Sequence, residues 1–105
     1  MRALLLASAA LVCLAVPASA ASRPDCGKTI KMHGVLSRAQ FQCGFSRYSE
    51  AMMDEARSCS RQVGDKAVKS NLKSGMTLFD QRESEWGHDV VCSKILADFP
   101  KIIAR

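Results

Sequence analysis

From Phe41 to Val63 the apolar positions recur at helical spacing: Phe41, Phe45, Tyr48, Met52, Ala56, Cys59 and Val63 are separated by steps of three and four. That is one face of an α-helix sustained over about six turns. Ser37 and Gln40 match a capping box, and Leu36 is placed to staple onto Phe41, so the helix is expected to begin at Ser37. Gly64 fits the left-handed position that ends it. Gly44, inside the run, costs up to ~1 kcal/mol relative to alanine and marks a weak point at which the helix can begin instead.

Asp65 then caps a second helix carrying Ala67, Val68 and Leu72 on one side. Lys73-Ser74-Gly75 reads as its end and Thr77 as the cap of a third. Acidic Asp80 and Glu83 suit a new helix N-terminus better than the far end of a helix running on from Lys66. The third helix is expected to run through Trp86, Val90, Cys92, Ile95 and Leu96 to about Phe99, where Pro100 stops it. Gly87-His88 is a point at which it kinks or splits. A long second helix reaching Trp86 is the alternative. Residues 21–36 show no helical period and read as an arm around Pro24, Asp25 and Gly27. With no strand-period segment or repeat, the expected class is all-α, a small three- to four-helix bundle with an N-terminal arm.

The N-terminus changes the picture. MRALLLASAALVCLAVPASA joins a positive Arg2, an apolar run from Ala3 to Val16 and a small-residue Ala18-Ser19-Ala20 end, the pattern of a cleaved secretory signal. The run is shorter than the ~20 residues a membrane span needs. The expected organisation is therefore a signal at 1–20, an arm at 21–36 and a helical domain at 37–105, with no integral membrane segment. Without the signal the chain keeps 14 Lys and Arg against 10 Asp and Glu, a net charge of +4, and loses Cys13.

Four cysteines then remain in a domain whose core alone supplies roughly 3–5 kcal/mol, the size at which staples are common. Export with an even cysteine count is the setting of disulfides, and the expected location is periplasmic or extracellular. Cys43 and Cys59 lie sixteen positions apart, about 24 Å along a continuous helix, whereas bridged Cα atoms sit ~4.4–6.8 Å apart. They cannot pair if the helix is unbroken. A helix returning beside the first brings Cys92 to Cys43, which leaves Cys26 for Cys59. The favoured pairing is Cys43–Cys92 with Cys26–Cys59; Cys26–Cys43 with Cys59–Cys92 requires a different stacking. Cysteine spacings of 17, 16 and 33 lack the close pairs of a structural zinc site, and Cys-x-x-Cys is absent. Met32-His33 offers thioether and imidazole, but two adjacent residues do not make a copper site. No cofactor or metal is expected.

The charge pattern supplies the candidate binding residues. Arg57, Arg61, Lys66, Lys69 and Lys73 cluster around the first interhelical turn, and Lys66, Lys69 and Lys73 share a helix face by spacing. Lys66 and Lys69 at a helix N-terminus oppose the macrodipole, which points to contact with an anionic envelope surface or an acidic protein. Export and the scarcity of aromatics argue against nucleic acid. His33 and His88 have no serine–acid pattern beside them, so an enzyme using either as general base is the weakest reading, and the chain is read as no enzyme. The functional expectation is a small exported, non-catalytic interaction module of the cell envelope or secretome. A periplasmic chaperone-like protein of acid or envelope stress is the alternative, and a small enzyme ranks below both.

Overall fold

A computed structural model describes residues 25–105; the signal at 1–20, Cys13 and the start of the arm lie outside the described residues. Four helices follow: α1 (Cys26–Cys43), α2 (Glu50–Val63), α3 (Asp65–Trp86) and α4 (His88–Asp98). Two short strands, β1 (Arg47–Tyr48) and β2 (Ile103–Ala104), pair antiparallel with Arg47 opposite Ala104 and Tyr48 opposite Ile103. The class is all-α, a compact helical bundle under two disulfides.

The first helix begins earlier than expected. The Asp25 side chain caps α1 by accepting from the Lys28 backbone N–H at 3.0 Å, so residues 26–36, read as an arm, form the first half of a helix. Ser37 is interior to it, and its hydroxyl donates to the Gly34 carbonyl rather than capping anything. The predicted continuity from Ser37 to Val63 fails at Gly44. There the backbone turns left-handed at φ 72°, and its N–H caps the Gln40 carbonyl, a conformation glycine adopts without the Cβ penalty. Ser49 restarts the chain as α2, its Oγ accepting from the Met52 N–H at 3.2 Å. Phe45 thereby enters the core, while Phe41 is left 80 % exposed. The strand β1 lies in this interruption, held by backbone pairing to a partner far along the chain.

Past Gly64 (φ 87°), Asp65 stands in the first turn of α3 instead of capping it. α3 does not stop at Gly75. A Cβ there would strike the Lys31 carbonyl oxygen and come within 2.8 Å of the Val35 nitrogen, and one on Gly34 would come within 2.5 Å of the Leu72 carbonyl oxygen. The glycines let α1 and α3 cross backbone to backbone. Gly27 lies by Asn71, Lys31 by Gly75, and Arg38 pairs with Asp80, so the two helices run in the same sense. Gly87 (φ 92°) ends α3 and starts α4.

One buried cluster joins Leu36 and Ala39 of α1, Phe45, Phe79 of α3, Val91 and Ile95 of α4, and Ile103. A second buried group, Ile30, Ala56 and Cys59, sits between α1 and α2. No described helix is long and apolar enough to cross a membrane.

The disulfides pair Cys26 with Cys59 (Cα–Cα 5.0 Å) and Cys43 with Cys92 (5.7 Å), the favoured arrangement. The path differs in part. Cys26 reaches Cys59 because α2 folds back antiparallel along α1, not because an extended arm runs down a long helix. Cys92 reaches Cys43 because α3 climbs beside α1 and delivers α4 to its upper end.

Candidate functional site

The face between α1 and α2 holds the most chemically furnished cleft. Ile30, Met53, Ala56 and Leu72 give it an apolar floor; His33, Arg57, Ser60 and Arg61 give it polar walls, around a volume of about 320 Å³. Arg57 and Arg61, at i and i+4 on α2, project on the same side of the helix. Arg57 also pairs with Asp54 at 3.0 Å, both well exposed.

His33 stands half-buried on α1. Its Nδ1 lies 2.7 Å from the Tyr48 hydroxyl, with the rings edge to face at 5.5 Å. Burial lowers the imidazole below its usual 6.5, and the Arg57 guanidinium pushes the same way. Burial raises the Tyr48 phenol to about 12. Both groups are therefore neutral at neutral pH, and the one hydrogen bond between Nδ1 and the phenol joins them as neutral partners. The permanent charge of the cleft comes from the arginines, since a guanidinium does not deprotonate in proteins.

The sequence-predicted basic cluster is thus divided. Arg57 and Arg61 share the α1–α2 cleft. Lys73 lines a different one with Lys31, Ser70, Ser74, Thr77 and Gln81. Lys66 and Lys69 are exposed on α3 and line neither. No family model, no curated protein and no solved structure matches the chain.

Sequence reasoning missed a second constellation on the opposite side. His88 Nδ1 donates to Glu83 Oε2 at 2.7 Å, and Cys92 Sγ lies beside the ring, 3.8 Å from Nε2 and 4.0 Å from Nδ1. The spacing was available: His88 and Cys92 are i and i+4 on one helix, which makes them neighbours. What the sequence did not reveal is the reversal at Gly87, which returns His88 to the carboxylate of the preceding helix.

Proposed function

We propose that the protein is a small exported, non-catalytic interaction module of the cell envelope or secretome, periplasmic or extracellular, which holds an anionic group of its partner in the α1–α2 cleft. The carrying observation is the pairing of Arg57 and Arg61 over an apolar floor. Two guanidiniums offer fork-shaped donors to carboxylate or phosphate, and the floor accepts the apolar body attached to such a group. Neutral His33 adds a polar wall without adding charge. The two disulfides accord with an oxidising compartment, and an anionic envelope surface or an acidic protein supplies the ligand chemistry.

Binding to anionic vesicles, cell-wall fragments and envelope proteins at low and high salt tests this. The expected result is a salt-sensitive partner whose binding is lost in the Arg57→Gln/Arg61→Gln variant and largely kept in Lys66→Gln/Lys69→Gln. Equal loss in both variants, or no salt-sensitive partner, overturns it.

Phe41, Val90 and Trp86, 80 %, 55 % and 42 % exposed, favour the chaperone reading as the second. Suppression of client aggregation at low pH, lost on replacing Phe41 with serine, is its signature.

A further inference from the structure

The Cys43–Cys92 bridge differs from a structural staple in what surrounds it. Gly87 breaks α3 from α4 with φ 92°, a conformation that L side chains rarely adopt. The break brings His88 of α4 within 2.7 Å of Glu83 on α3. A carboxylate only accepts, so Nδ1 carries the hydrogen and Nε2 is left with a free lone pair. One helical turn later stands Cys92, its Sγ beside the ring, 3.8 Å from that nitrogen and 4.0 Å from Nδ1. An imidazole held by a carboxylate at that distance, once protonated, stabilises a thiolate leaving at the sulfur beside it. His88 and Glu83 are both partly open to solvent, and Cys43 and Cys92 are each half-buried. Cys59 of the other bridge is 2 % exposed, and among the described residues neither of that bridge's sulfurs has an imidazole or carboxylate bonded to it.

We propose that Cys43–Cys92 is an exchange-competent disulfide, opened by a small-molecule thiol that attacks Cys43 while Cys92 leaves beside His88. The incoming thiol ionises, and its thiolate forms a new bond to Cys43 Sγ as the Cys43–Cys92 bond breaks. The electron pair of that bond goes to Cys92 Sγ. The proton given up by the thiol is taken by His88 Nε2, with Glu83 as counter-ion to the imidazolium, and passed to Cys92. The thiol sulfur is oxidised into a mixed disulfide on Cys43, and Cys92 is the sulfur reduced. Attack has this direction because exchange runs faster when the departing sulfur is the better-stabilised thiolate, and only Cys92 has the imidazole. Glu83 acts through His88, as a positioning residue. Reclosure by Cys92 on the mixed disulfide returns the thiol, so the site cycles without loss of the fold held by Cys26–Cys59.

The oxidised mature protein is exposed to reduced glutathione at neutral pH, quenched with N-ethylmaleimide at intervals and mapped by peptide mass spectrometry. The expected first product carries glutathione on Cys43 and maleimide on Cys92, with Cys26–Cys59 intact. His88→Asn slows its appearance by about three- to tenfold, because exchange slows as the leaving thiol's pKa rises. Glu83→Gln, which keeps an acceptor for Nδ1 but not the charge, slows it less and flattens its dependence on pH. Thermal unfolding of the oxidised variants, expected unchanged because both side chains are partly solvated, separates lost reactivity from lost fold. Equal opening rates for the two bridges, glutathione appearing on Cys92 instead, or a His88→Asn rate equal to wild type overturns the proposal.

Discussion

On the α2 side of the molecule, Cys26–Cys59 and His33 occupy separate places: the bridge closes the N-terminal end of α1 against α2, and the histidine pairs with a phenol farther up. On the α4 side, bridge and histidine meet, with His88 between Glu83 and Cys92. The bonds themselves are alike and close loops of 33 and 49 residues. Loop-closure entropy distinguishes them by only about 0.4 kcal/mol, too little to give them different structural weight. The difference therefore lies in chemistry: one bridge has a buried sulfur, Cys59, and, among the described residues, no imidazole beside it, and the other has an imidazole held next to Cys92. A disulfide's role is set by its neighbours more than by the span it closes.

The largest expected effect tests that equality. Replacing Cys26 and Cys59 by alanine, or Cys43 and Cys92, is expected to destabilise by about 2–4 kcal/mol each, with the two losses within about 1 kcal/mol of each other. Urea unfolding of the two double variants measures it. A much greater loss at Cys43–Cys92 would show that this bridge is the main staple, and the contrast between the sides would then be one of stability.

Gly75→Ala comes next, because the α1–α3 crossing holds the two sides together. On a free helix surface the change stabilises by up to ~1 kcal/mol through propensity. Here the added methyl meets the α1 backbone at Lys31 and Val35, atoms that cannot rotate away, and overpacking costs about 1–3 kcal/mol. A lower unfolding midpoint is expected. A higher one would mean that the helices stand apart at this crossing.

Gly75 also shows where sequence reading stops. A glycine after lysine and serine is locally indistinguishable from a helix end, and only the neighbour's backbone identifies it as a contact point. Gly44 was legible as a weakness, yet the strand behind it was not, since a two-residue strand has no measurable period and exists through Ile103 and Ala104 alone. The all-α class and the disulfide pairing were legible because helical rise limits which cysteines can meet. The arginine cleft was half-legible: Arg57 and Arg61 stood in the candidate cluster, but Lys73 lines a separate cleft between α1 and α3. His33 and Tyr48, fifteen residues apart across a broken helix, gave no local sign of pairing.

Acid and alkali sharpen the contrast further, since the His33–Tyr48 pair belongs to the α2 side. His33 titrates below 6.5 in the fold, so the unfolded chain takes up the proton first. Stability is then lost as pH falls below 6.5 toward the folded value. Tyr48, raised to about 12, contributes stability that is present below its ordinary value of 10 and lost as pH rises from there toward 12. His33→Gln is expected to flatten the acid limb of the urea midpoint against pH, and Tyr48→Phe the alkaline limb. Unchanged limbs in both variants would place the pair in solvent and remove the asymmetry.

The smallest effect concerns Arg38 and Asp80, which link α1 to α3 on the surface above the glycine crossing. Nε and Oδ1 lie 3.0 Å apart, and Nη2 reaches Oδ2 at 3.4 Å. The geometry is fork-like, but both side chains are partly solvated, so water and salt already screen the charges. Breaking the pair with Arg38→Met, which keeps much of the aliphatic stem, is expected to cost about 0.2–1 kcal/mol at low salt. Raising the salt concentration should erase most of that difference. If the loss instead persists at high salt and approaches that of Gly75→Ala, the two helices are clamped by charge. The close backbone approach at Gly34 and Gly75 would then follow from the ion pair and would not be the contact that sets how the two sides of the molecule sit.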